Sequence, residues 1–248
     1  MSTLTDLRIA AVGDIHLGED ARGHYRKRLE GIEERADVLM LAGDLTRHGT
    51  LAEGRLVADE FRDLPLPVVA VLGNHDYHSN LQDEIAGELR DAGVIVLDDD
   101  GVVVQCGETK LGVVGGKGFG GGFAGKCASE FGEPEIKDFV RHTRLIAEAW
   151  QVALKEVQAD HRVVLSHYSP VKETLEGEPL EIYPFLGSYL LAEAVDTAGA
   201  DLILHGHAHK GSEKGMTPGG IRVRNVALPV IGRAYVVYCL AMNGEHEG

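Results

Sequence analysis

Residues 36–76 read ADVLMLAGDLTRHGTLAEGRLVADEFRDLPLPVVAVLGNHD, and this stretch decides the fold. Its two apolar runs, VLMLA (38–42) and VVAVL (68–72), are continuous rather than alternating, as strands covered on both faces are. Each stops at a glycine followed by a polar residue, Gly43–Asp44 and Gly73–Asn74. Between them, Thr50 to Asp63 is helix-like, and strand–helix–strand predicts parallel pairing through a crossover. Working outward, LRIAAVGD (7–14), HRVVLSH (161–167) and ADLILHGH (200–207) repeat the same form, with further helix-like stretches at His24 to Arg35 and Leu81 to Ala92. The segment VIVLDDDGVVVQCGETKLGVVGG (94–116) carries DDG and GET turn signals between β-rich runs, which predicts antiparallel hairpins. From Pro134 to Val157, Ile136, Phe139, Val140, Ile146, Trp150, Leu154 and Val157 recur at three- and four-residue spacing, the mark of a long amphipathic helix. IRVRNVAL (221–228) and AYVVYCLAM (234–242) supply two last strands. The expected architecture is α/β, two mixed sheets packed as a sandwich and flanked by helices, with residues 1–248 as one domain.

The 248 residues suffice for a substantial core without disulfide or metal staples. A formal net charge of −15 disfavours long polyanions and anionic membrane surfaces, so neither a long nucleic acid nor a membrane is an expected partner. Cys106, Cys127 and Cys239 are odd in number, far apart and in no CxxC pair, which suggests neither a disulfide framework nor a thiolate zinc site. No basic segment precedes a long apolar run at the amino terminus, and no run approaches the length needed to span a bilayer. These features read as a cytoplasmic protein.

In open α/β sheets ligands bind at the carboxyl ends of strands. The residues there are Asp14 and His16 in GDIH, Asp44 in GDL, Asn74, His75 and Asp76 in GNHD, His167 in SHYSP, and His207 and His209 in GHAH. Taken singly, each motif fits a turn or a surface histidine. Turns do not explain why every strand end carries a metal-type donor. Carboxylate, carboxamide and imidazole without thiolate suit manganese, iron, zinc, cobalt or nickel, and the set is too nitrogen-rich for calcium. The donors exceed what one tetrahedral ion takes, so two ions sharing a carboxylate is the economical arrangement.

The ordered set D-x-H, GD, GNHD, a single His and GH-x-H, running from Asp14 to His209, resembles the calcineurin-like metallophosphoesterase superfamily. That resemblance implies two divalent ions, manganese being the first expectation. Asp14, His16 and His209 would hold one ion, Asn74, His167 and His207 the other, and Asp44 would bridge both. It implies that His75 contacts the phosphate and protonates the leaving oxygen, with Asp76 orienting it, while a metal-bridging hydroxide attacks. Two divalent ions against two aspartates and a hydroxide leave about one positive charge, a site built for an anion in an acidic chain. The expected reaction is metal-dependent hydrolysis of a phosphate ester, with a diester such as a cyclic nucleotide or another small phosphodiester as the first choice. GDLTRHG and GNHD resemble the small bacterial phosphodiesterase branch more than the protein phosphatases. A phosphomonoesterase, a nuclease of the same superfamily or a non-catalytic interaction module are the alternatives.

Three features depart from that pattern. His205, before the glycine of GH-x-H, matches no ligand position and is expected to support the fold or its neighbouring histidines. Arg47, His24, His48 and His78 read as surface residues. GGKGFGGGFAG (115–125) is not a phosphate-binding P-loop, and reads as a mobile connection or as a lid carrying Lys117 or Phe119.

Overall fold

The computed structural model describes residues 6–241. In chain order it runs β1 (Leu7–Val12), α1 (His24–Lys27), β2 (Val38–Ala42), α2 (Leu51–Phe61), β3 (Val68–Val71), α3 (Gln82–Asp91) and β4 (Ile95–Val96). There follow β5 (Asp100–Cys106), β6 (Thr109–Gly116), a small hairpin of β7 (Gly122–Phe123) and β8 (Lys126–Cys127), α4 (Pro134–Glu156) and β9 (His161–Ser166). The last part holds α5 (Tyr183–Leu186), α6 (Tyr189–Ala198), β10 (Leu202–His205), β11 (Lys214–Met216), β12 (Arg222–Asn225), α7 (Leu228–Ile231) and β13 (Val236–Leu240).

Two mixed sheets result. The first has the order β13-β1-β2-β3-β4, parallel except for the edge strand β13. The second has the order β11-β12-β10-β9-β6-β5, parallel at its centre and antiparallel at both edges. Because successive strand residues face opposite sides, each sheet fills two layers. Ile9, Ala11, Met40 and Val69 of the first sheet meet Val113, Val163, Leu165 and Leu204 of the second between them. Ala10, Val12, Leu39 and Leu41 face outward onto Leu56, Phe61, Ile85 and Leu89 of α2 and α3. On the opposite side, Val114, Val164 and Ile203 face Ile146, Trp150 and Leu154 of α4 and Leu191 and Val195 of α6. The expected sandwich with flanking helices is the one observed.

Helix boundaries follow local chemistry. Thr50 caps α2 by accepting from the Glu53 N–H, while the Glu53 carboxylate accepts from the Thr50 N–H, a reciprocal capping box. Pro134 sits in the first turn of α4, where its missing N–H costs nothing.

Four sequence expectations need correction. The His24 to Arg35 helix is only one turn plus a 3-10 turn at Ile32–Glu34, because Gly31, at φ 69°, interrupts it. The DDG segment is not a hairpin: β4 joins β3 in the first sheet and β5 joins β6 in the second, so Asp98–Asp99 carries the chain across. Ile136 at the amino-terminal end of α4 is 43% exposed rather than core. The final strand ends at Leu240, and Met242 lies outside the described residues. Cys106, Cys127 and Cys239 are free thiols. No described helix is long and apolar enough to cross a membrane.

Candidate metal centre

Every donor singled out from sequence lies at one edge of the sandwich, just past the carboxyl end of a parallel strand. Asp14 and His16 follow β1, Asp44 follows β2, Asn74 follows β3, His167 follows β9, and His207 and His209 follow β10. The backbone works hard to aim them. Asp14, His16, Asp44 and His207 all have positive φ, between 43° and 71°, a conformation unusual for non-glycine residues and concentrated where structure serves a site. The motif glycines have a matching reason. A Cβ at Gly73 would collide with the Asp44 carboxylate and backbone, and one at Gly206 would collide with the Asp14 carboxylate. The glycines before Asn74 and His207 thus record close approach by an aspartate, from the neighbouring strand β2 at Gly73 and from β1 of the opposite sheet at Gly206.

Potential ligand atoms of Asp14, His16, Asp44 and His209 lie within 4.8 Å of one another, and so do those of Asp44, His167 and His207. Asp44 belongs to both groups. It is 1% exposed, with Oδ1 3.3 Å from His167 Nε2 and Oδ2 3.7 Å from His16 Nε2. Asn74 Oδ1 stands 2.9 Å from His167 Nε2, which adds the carboxamide to the second group.

The imidazoles are oriented by backbone. His167 Nδ1 donates to the Ala42 carbonyl at 2.9 Å, and burial holds this ring well below the usual imidazole range. It is therefore neutral with its lone pair on Nε2, and that lone pair faces the oxygens of Asn74 and Asp44. Three acceptors converge with no hydrogen to share among them, an arrangement that suits a cation. His207 donates from Nε2 to the Phe185 carbonyl at 3.1 Å, and burial lowers it to about 3, leaving Nδ1 as its free acceptor. In the other group His209 Nε2 lies 2.8 Å from Asp14 Oδ1 and 3.5 Å from His16 Nε2. Burial raises the Asp14 carboxyl to about 6 against the opposing hydrogen bond from His209. A buried carboxylate beside a second one is stabilised by positive charge. Both donor sets fit divalent ions.

His75 and Asp76 part company. His75 is half-exposed, its Nδ1 donates to the Arg47 carbonyl at 2.8 Å, and its Nε2 stands 4.0 Å from Asp44 Oδ2. Asp76 was expected to orient His75 and does not touch its ring. Its fully buried carboxylate accepts from the N–H groups of Leu45, Thr46 and Gly73 and from the Thr46 hydroxyl. The turn that brings the Asp76 N–H to the Gly73 carbonyl points the carboxylate inward, so Asp76 ties the two motif loops together. Arg47 supplies His75 with a carbonyl, while its guanidinium pairs with Asp20 at 3.1 Å.

His205 is fully buried and points away from both groups. Its Nε2 lies 2.9 Å from Thr174 Oγ1 and 3.4 Å from Ser169 Oγ, and its Nδ1 donates to the Gly206 carbonyl. It anchors the loop after β9. Three further participants carry no signal in residue type or spacing. Asn225 ends β12, donates to the Ala208 carbonyl and accepts from the Ala227 N–H, bracing the His207–His209 turn. Tyr168 packs against His207 with ring centroids 4.4 Å apart and planes tilted by 39°. The Phe185 carbonyl fixes the His207 tautomer. The glycine-rich segment is pinned rather than free: Gly121 and Gly122 donate to the Pro184 and Gly187 carbonyls, and Thr143 donates to the Gly120 carbonyl.

The sequence pattern of calcineurin-like phosphoesterases matches residues 7–211, a span containing every donor above. The chain belongs to the calcineurin-like phosphoesterase family. Proteins of known structure share its fold. The phosphopantetheinyl hydrolase of Mycobacterium tuberculosis superposes with a TM-score of 0.63 at 15% identity, covering 91% of this chain and 90% of that one. GAP50, the anchor in the inner membrane complex of Plasmodium, superposes at 0.53 and 14% identity, covering 90% and 72%. At such identities the likeness shows fold alone. No curated protein matches the sequence significantly.

Proposed function

We propose that this phosphoesterase hydrolyses small phosphodiesters with two divalent ions, manganese first among them, joined by Asp44. The observation that carries the reading is the shared position of Asp44 between two converging donor groups. Asp14, His16, Asp44 and His209 would hold one ion; Asp44, Asn74, His167 and His207 the other. Bound there, the ions would supply charge neutralisation for a phosphoryl group and activation of an attacking water.

The chain's own residues do the rest. His75 is placed beside the cluster with Nδ1 committed to the Arg47 carbonyl, a bond it keeps whether neutral or charged. The proton it can release is therefore on Nε2, on the side of Asp44, where a leaving oxygen would receive it. Asp76 keeps the loops bearing Asp44 and His75 in register. A singly charged diester suits this edge better than a dianionic monoester, because the nearby cations are engaged elsewhere. Arg47 pairs with Asp20, and the Lys117 ammonium lies among the rings of Tyr77, Phe119 and Tyr168.

The test is Asp44→Asn, assayed on a diester and its matching monoester with metal content measured on the same sample. Wild type should carry two ions per chain and favour the diester. The variant should carry fewer ions and lose about 1000-fold in kcat. A fully active variant, or full wild-type activity with one ion per chain, would overturn the shared-ligand reading.

A further inference from the structure

We infer that the protein carries a second binding site, separate from the metal donors, for an apolar molecule bearing a primary amine. The site is a cavity of about 760 Å³ enclosed by the β7 and β8 hairpin, α6, the end of β11 and the loop after β9. That volume falls within the range of small-molecule pockets, about 300–1,000 Å³. Phe123, Val171, Ala192 and Pro218 give it apolar walls, while Tyr189 and Met216 line it with much of their surface uncovered. None of the metal donors lines it. The walls are held in place. Gly122 donates to the Gly187 carbonyl, which ties the hairpin to the start of α6. Asp196 of α6 accepts from the Thr217 hydroxyl and the Gly219 N–H, fixing the segment after β11 against the helix. On the remaining side the Ser169 hydroxyl donates to the Val171 carbonyl at 2.8 Å. A guest would therefore find the cavity already shaped, without the cost of ordering it.

Charge selects the guest. Glu173 and Glu193 line the cavity, and neither carboxylate has an ion pair or a side-chain hydrogen bond among the described residues. Lys172 is the one cation in the lining and pairs with neither of them. Two carboxylates against one ammonium leave the cavity negative, on a chain whose net charge is −15. The Tyr189 phenol is raised above its ordinary value, first by burial and then by Glu193, so that carboxylate acts on the uncovered ring. A cation entering here gains two unpaired acceptors and the face of Tyr189, whereas an anion meets repulsion from both glutamates. A primary ammonium has three donors and can bond both carboxylates at once. The walls of Phe123, Val171 and Ala192 then take up the apolar body.

The experiment titrates the whole chain calorimetrically with tryptamine, tryptophol and indolepropionate, which share one apolar body and differ in charge. Tryptamine should bind about 10-fold more tightly than the acid, with the alcohol between them, and equally with and without manganese. Glu193→Gln should weaken tryptamine about 2- to 5-fold, the worth of an exposed ion pair, and leave tryptophol unchanged. The double variant Glu173→Gln, Glu193→Gln should bring amine and alcohol level. Ala124→Trp places a bulky ring at an exposed position of the lining and should abolish binding of all three. Glu108→Gln, in the turn between β5 and β6, should match wild type. The acid binding as tightly as the amine would overturn the assignment, and so would absence of tryptamine binding at millimolar concentration. Tryptamine that Ala124→Trp leaves bound, or that manganese displaces, would lie elsewhere and overturn it too. The readout is binding alone, so a chain without phosphoesterase activity would sink the hydrolase reading and leave this one standing.

Discussion

The two donor groups that meet at Asp44 are built differently. The group of His167 and His207 is an interior site: His167 is fully buried, and backbone carbonyls of Ala42 and Phe185 set both rings. In the group of Asp14, His16 and His209 the aspartate is buried but the rings reach solvent, the His209 side chain being 42% exposed and the His16 side chain 22% exposed. Ligands whose second nitrogen is already committed to backbone need no reorganisation to receive an ion, whereas half-exposed rings lose rotamer freedom when they do. The first group is therefore preorganised for an ion, whereas the second would have to order its rings on taking one.

The largest expected effect sharpens that contrast directly. His167→Ala should remove one ion and cost on the order of 1000-fold in kcat, while His209→Ala should cost on the order of 10- to 100-fold and be partly rescued by excess metal. Limited chelation of wild type should stop at a stage with one ion per chain. Simultaneous loss of both ions, followed by elemental analysis, would break the comparison.

A middle-sized effect separates the site from its scaffold. His205→Ala should destabilise the protein by about 2–3 kcal/mol, since it opens a void and leaves the Thr174 hydroxyl without its imidazole partner. Metal stoichiometry should not change. Loss of an ion in this variant would place His205 in the ligand network after all.

The smallest effect is one of pH. Burial raises the Asp99 carboxyl to about 6, with the Trp150 indole bond opposing. An acid whose folded value lies above its unfolded value is penalised once ionised. That cost is absent well below the ordinary carboxylate value, is still small near pH 4, grows as pH rises and levels off above about pH 6. Asp99→Asn keeps the acceptor for Trp150 and should gain about 1–2 kcal/mol over the parent near pH 8, with little gain near pH 4. Urea titrations at the two values measure it.

Much of this was legible in the sequence because parallel strands must end in polar residues at one edge, and a buried apolar run shows where that edge falls. Asp14, Asp44, Asn74, His167 and His207 follow from that rule alone. Asn225 obeys it too, but Val226, Ala227 and Leu228 continue the apolar run and hide the strand end. Asp76 misled because sequence adjacency to His75 says nothing of direction, and a tight turn sends the two side chains apart. The DDG segment announces a change of direction but not which sheet receives the chain. Carbonyls of Ala42, Arg47 and Phe185 orient the histidines through backbone atoms, which leave no signature in residue type.

The donors also come from both sides of the sandwich. Asp14, Asp44 and Asn74 leave the first sheet, and His167, His207 and His209 leave the second. An ion held by both Asp44 and His167 would act as a rivet through two layers that otherwise adhere by apolar contact. Whatever binds only the assembled sandwich stabilises it by mass action. With such an ion, loading and folding would become one coupled equilibrium, and the supply of metal would govern how long a copy of the chain survives.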